Sequence, residues 1–117
     1  MHRVRIQDLP LKGMSHNFVG ADQGDVGVSA YIVNAPKGRG PRLHTHPYDK
    51  VVFTQQGRGR WRVNGEVHEL GPGDIMVVKA NEPHGFESIG DEPLVQIDVH
   101  LSPRFVQEWV EEPDAPR

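Results

Sequence analysis

The chain has 117 residues, 36% of them hydrophobic, which is enough for one compact core and too few for two ordinary domains. Charged residues make up 25% of it, yet the formal net charge is only -3, so no basic excess speaks for nucleic acid or an anionic membrane surface. Cysteine is absent, which excludes disulfides, thiolate ligands and a cysteine nucleophile and leaves imidazole and carboxylate for metal chemistry. No apolar run approaches the roughly 20 residues of a membrane helix. The first ten residues lack the apolar stretch of a secretory signal, so a cytoplasmic protein without membrane contact is expected.

Taken in chain order, short apolar runs alternate with clusters drawn from 13 glycines and 10 prolines, the pattern of many strands joined by turns. Residues 3–10 form a strand candidate that a partner's sheet edge could accept. In 26–36, Val26, Val28, Ala30 and Ile32 alternate with Gly27, Ser29, Tyr31 and Val33, and Pro36 with Gly38 stops the run. That is one strand.

Asn64-Gly65 stands between two strand-like runs in 59–70 and suits a type I′ turn, whose two central residues need positive φ. A two-residue loop then pairs Val63 with Glu66, Arg62 with Val67, Trp61 with His68 and Arg60 with Glu69. On this pairing His68 packs on Trp61. Further strands are predicted at 74–78, 84–89 and 94–101. In the last of these Val95, Ile97, Val99 and Leu101 read as the buried face, with Gln96, Asp98 and His100 outward or at a subunit contact. The pattern changes only at the end of the chain. Ser102 can cap, Pro103 suits a first helical turn, and Phe105 and Trp109 at i, i+4 make a stripe, which predicts a short helix over about 103–111. The polar, proline-containing residues 111–117 read as a fraying end.

His44 and His46 are two residues apart, so on a strand both imidazoles leave one face and can converge on one ion. Gly38, His44, His46 and Gly57 stand at the spacings of the first cupin motif, and Gly73 with His84 at those of the second. The chain therefore resembles the cupin family, from residue 38 to 88 by motif and over nearly all of its length by strand count. The resemblance implies an all-β fold, a single double-stranded β-helix or jelly-roll barrel with its core over about 15–101, in one domain spanning 1–117. It also implies a metal site made of His44, His46 and His84.

Departures from the family pattern bear on function. Lys50 stands where the family usually has a ligand glutamate, Lys79 and Asn81 replace a proline and a glycine, and Ser88 replaces an asparagine. A charged lysine is repelled by a dication, so three imidazoles with open coordination positions are expected. Asp49 is the possible fourth ligand, because Pro47 can bulge the strand and change which residues face inward. Arg42, Tyr48, Lys50 and Phe86 are candidate substrate-pocket residues. Imidazole ligands suit Fe, Mn, Ni or Zn as the one divalent ion. The resemblance implies a metal-dependent enzyme acting on a small molecule, dioxygenase-like or an isomerase. The alternative is a non-catalytic module that binds a metal or a small ligand. A sensory role ranks last, since these 117 residues include no DNA-binding segment. A homodimer formed through sheets is also expected.

Overall fold

A computed structural model of the chain describes residues 1–113. Its strands are β1 (Leu11–Lys12), β2 (Ser15–Phe18), β3 (Ser29–Ala35), β4 (His44–Thr45), β5 (Lys50–Gln56) and β6 (Gly59–Val63), followed by β7 (Glu66–Leu70), β8 (Ile75–Val78), β9 (His84–Ser88), β10 (Leu94–His100) and β11 (Glu108–Trp109). They form two antiparallel sheets, one in the order β1-β2-β3-β10-β5-β8 and one in the order β11-β4-β9-β6-β7. Chain neighbours fall in opposite sheets at several points, so the two layers close on each other as the expected double-stranded β-helix. Residues 3–10 do not form the predicted strand: a single 3-10 turn occupies Ile6–Asp8, and Leu9 is buried. No helix among the described residues is long and apolar enough to cross a membrane.

The hairpin at Asn64-Gly65 has both residues at positive φ, 51° and 78°, and its register is the one the two-residue loop dictates, from Val63↔Glu66 to Arg60↔Glu69. Trp61 and His68 are register partners. Trp61 nevertheless points into the core while His68 stays exposed on the edge strand, with its Nε2 3.3 Å from Glu66, so the expected packing of the two rings does not form.

The apolar core joins both layers. Val33, Ala35, Val52 and Leu94 come from one sheet and Trp61 and Phe86 from the other, all buried. Trp61 and Phe86 meet at 4.6 Å between ring centroids, and an aromatic pair of this kind adds roughly 1 kcal/mol to its area burial.

The face assignment of β10 is the reverse of the one expected. Leu94, Gln96, Asp98 and His100 point inward and are nearly inaccessible, while Val95, Ile97 and Val99 face out and Leu101 is exposed. Apolar-in alternation assumes that a sheet's inner face is all core. Here the inner row of β10 runs from the apolar Leu94 at one end to His100 at the other, because one end of the barrel holds a polar site. Outward apolar side chains continue onto the neighbouring strands, with Phe53, Ile75 and Val77 39%, 63% and 56% exposed.

The C-terminal helix is also absent. Residues 103–107 cross the barrel mouth without regular structure, and Glu108–Trp109 pairs with β4, setting Trp109 opposite His44. Phe105 stacks flat on Tyr31 at 4.0 Å, and the Trp109 ring lies edge-on to His44 at 5.5 Å, so the two aromatics are held at separate points of the rim rather than on one helical stripe. The N–H groups of Val110 and Glu111 both donate to the Leu43 carbonyl. Tertiary contacts here outweigh a helix propensity worth a few tenths of a kcal/mol per residue. Of the end expected to fray, 114–117 lie outside the described residues.

Candidate metal centre

Strand geometry assembles the three histidines. His44 opens β4, His46 follows two residues later on the same face, and His84 opens β9 as the register partner of His44. Their ring nitrogens lie within 4.8 Å of one another, and the three residues are 3%, 2% and 1% exposed. The loop after His46 is pinned by the Asn81 N–H, which donates to the His46 carbonyl at 2.8 Å.

Each ring is oriented by a main-chain oxygen. Nδ1 of His44 donates to the Arg42 carbonyl at 2.6 Å, Nδ1 of His46 to Val106 at 2.8 Å and Nδ1 of His84 to Glu82 at 2.8 Å. A carbonyl only accepts, so the proton sits on Nδ1 and the Nε2 lone pair is left bare. Nε2 of His46 and of His84 is buried and has no hydrogen-bond partner among the described residues. Unpartnered buried nitrogens are costly in a native interior. A divalent ion held by the three Nε2 atoms removes that cost, and carbonyl-tied imidazoles are the usual outer-shell arrangement of metal-bound histidine. The residues present therefore fit a metal.

Burial also sets the protonation state. The His44 imidazole is pushed down to about 3, that of His46 to about 4 and that of His84 to about 2, in each case chiefly by loss of solvent. The carbonyl bonds oppose this and the positive charge of Lys50 adds to it. All three rings are neutral at physiological pH, which is the form that coordinates.

A fourth imidazole, expected outward or at a subunit contact, instead turns into the barrel. His100 ends the inner row of β10, fully buried, with its ring centroid 4.7 Å from that of His46. Its Nδ1 lies 2.8 Å from the Tyr48 hydroxyl, and its Nε2 has no partner among the described residues. Burial lowers this ring as well, to about 2. In the structure His100 is the register partner of Lys50, a pairing that the sequence does not reveal.

The remaining candidates separate. Lys50 is 3% exposed, with its ammonium 3.8 Å from Asp98 and 5.2 Å from the centre of the Trp61 ring. The lysine thus turns into the barrel. Burial pulls its ammonium down and pushes the Asp98 carboxyl up, and each charge opposes the shift of the other. Lys50, Asp98, Phe86 and His44 line an open cavity of about 490 Å³ between the sheets. Tyr48 lies behind His46 and binds His100 and the Val106 N–H. Arg42 turns toward Glu111, at 3.7 Å, and lines a separate small groove with Arg60 and Arg62. Asp49 is not brought to the triad: its carboxylate binds the Lys79 ammonium at 2.5 Å and the Ala80 N–H at 2.8 Å. The lysine replacing the family's proline is what holds Asp49 aside.

Four imidazoles with lowered protonation points make stability depend on pH. The unfolded chain's histidines take up protons near 6.5, whereas the folded rings do so only at about 4 and below. Where the unfolded state binds more protons, stability falls as pH falls. In metal-free protein the urea midpoint should therefore decline between pH 6.5 and 4. A midpoint that is flat across this range would contradict the assignment of neutral, buried rings.

Comparison with known proteins agrees with this geometry. The profile of the Cupin domain family matches residues 31–100, more than half of the chain. Among curated proteins, the transcriptional activator RhaS of Mannheimia succiniciproducens is 34% identical over 62 residues, 53% of this chain and 23% of that protein. Acireductone dioxygenase of Alcanivorax borkumensis is 41% identical over 54 residues, 43% of this chain and 29% of that protein. The match thus spans under a third of the length of either relative. Among solved structures, KdgF from Halomonas sp. superposes with a TM-score of 0.60 at 30% identity, over 68% of this chain and 71% of that one. By sequence profile, strand topology and the two histidine-bearing motifs, this chain belongs to the cupin domain family.

Proposed function

We propose that His44, His46 and His84 hold one divalent transition metal, Fe, Mn, Ni or Zn, and that the chain is a metal-dependent enzyme acting on a small molecule, dioxygenase-like in its chemistry. The observation that carries this reading is that one ring nitrogen from each of the three histidines lies within 4.8 Å of the others, while every Nδ1 is tied to a carbonyl. The likeness to acireductone dioxygenase supports the oxygen-dependent form. When bound, the metal supplies Lewis acidity, and a redox-active one also supplies electrons toward dioxygen, at positions the three imidazoles leave open.

The chain's own residues do the rest. The carbonyls of Arg42, Val106 and Glu82 fix ring tautomer and tilt. Phe86 and Trp109 line the cavity beside His44 and give that part of its wall an apolar surface. Lys50 in the family's glutamate position removes the carboxylate that would close the ligand shell, so substrate has room at the ion. The homodimer belongs to the same proposal, supported by the outward apolar row through Phe53, Ile75 and Val77. The match to a segment of RhaS favours a second reading, a ligand-binding module without turnover.

Two measurements follow. Metal analysis of purified protein should find a first-row transition metal at close to one per chain, and His44→Ala, His46→Ala and His84→Ala should each lose most of it. Full occupancy in all three variants would sink the site. An oxygen electrode run on Fe(II)-loaded protein with thiols, catechols and 1,3-diketones should register uptake with one of these classes. Silence throughout would favour the binding module.

A further inference from the structure

We infer that Lys50 is a substrate anchor and that the cavity takes a small organic acid, its anionic oxygen on the Lys50 ammonium and a neighbouring oxygen toward the ion. This rests on reading the histidine triad as a metal site.

The first observation is the ammonium itself. Lys50 is almost wholly buried, and the Asp98 oxygen that faces its ammonium stands 3.8 Å away, beyond the 2.7–3.2 Å of a well-formed hydrogen bond. Asp98 is held back by Gln96, whose amide donates to its other oxygen at 2.8 Å. The face of Trp61 supplies a weak attraction from the other side. The ammonium is thus engaged only loosely by Asp98, at the wall of a cavity that His44 also lines. A buried charged donor without a close partner is expensive, and a ligand oxygen relieves it.

Charge balance is the second observation, and it does not depend on where the shared proton sits. The imidazoles are neutral. Lys50 and Asp98 sum to zero whether both are ionised or both neutral. A divalent ion in the triad thus leaves the interior with its full double charge, in a medium where uncompensated charge is costly. Ordinary cupin sites offset part of this with the glutamate that Lys50 replaces. Here the compensation has to arrive with the ligand. The cavity rim repeats the bias: Lys12 and Arg39 line it, and Asp98 is the one carboxylate among its lining residues.

The third observation is the shape of the wall. Val33, Phe86 and Trp109 give the cavity apolar wall as well as charged wall, and its volume of about 490 Å³ lies within the range of small-molecule sites. A bare inorganic anion would leave the apolar wall unused. An acid carrying a planar or aliphatic group and an oxygen next to its carboxylate fills both.

Salicylate and its neutral amide, salicylamide, test this, because they differ in the charged oxygen and little in shape. Affinities would be measured by titration calorimetry on metal-loaded and on chelator-treated protein, with metal content determined in parallel. Wild type should prefer salicylate by at least tenfold. Lys50→Met should reduce that preference at least tenfold, and so should Lys50→Met/Asp98→Asn, which leaves no lone buried carboxylate and guards against misfolding of the single variant. Retained triad metal with equal affinities for the two probes would overturn the anchor and leave the metal site standing. An unchanged preference in either folded variant would overturn it as well. Absence of metal together with a Lys50-dependent preference would overturn the metal reading and support the anchor.

Discussion

Three hydrogen bonds from imidazole Nδ1 to backbone carbonyl oxygens are the constraint on which this site depends. The acceptors are Arg42, Glu82 and Val106, the first two lying two residues before the histidines that bind them and the third sixty residues away in chain. Because a carbonyl cannot donate, each bond fixes the proton on one nitrogen and directs the other toward the middle of the barrel. Burial then keeps the rings uncharged. No acidic residue is needed for either effect, which is why the triad survives in a chain whose usual fourth ligand is a lysine.

The remote acceptor joins the C-terminal crossing to the site. Val106 receives the His46 bond through its oxygen and donates through its N–H to Tyr48, which in turn reaches His100. Phe105 and Trp109 brace this segment on Tyr31 and on His44. Glu111 clamps its far end to Arg62 at 2.6 Å and accepts from the Leu43 N–H at 3.1 Å. The segment that the sequence suggests is a peripheral helix is thus part of the wall around the histidine triad. Its regular pairing is two residues long, and the rest is held by side chains distant in sequence.

The same logic decides what could be read from the residues alone. His44, His46 and His84 were legible because strand alternation and motif spacing are local, and the hairpin at Asn64-Gly65 because positive φ at both positions is a local demand. The inner row of β10 was not. Val95, Ile97 and Val99 look like a buried face to any rule that equates apolar with inside, whereas the barrel puts Gln96, Asp98 and His100 there and leaves the apolar side chains outward. Asp98 and Lys50 are each unremarkable in sequence, and only the pairing of β10 with β5 brings them into one interior. Trp109 and Phe105 fit a helical stripe equally well, until the barrel mouth offers each a separate partner.

The central claim is that three preset Nε2 atoms define the ion's position, and anomalous scattering from crystals of metal-loaded protein tests it most directly. One peak should lie within about 2.0–2.3 Å of Nε2 of His44, His46 and His84, with Nδ1 of each still on its carbonyl and the remaining positions filled by water or ligand oxygen. A peak bound through Nδ1, or one that takes Asp49 or Asp98 in place of a triad imidazole, would contradict the account.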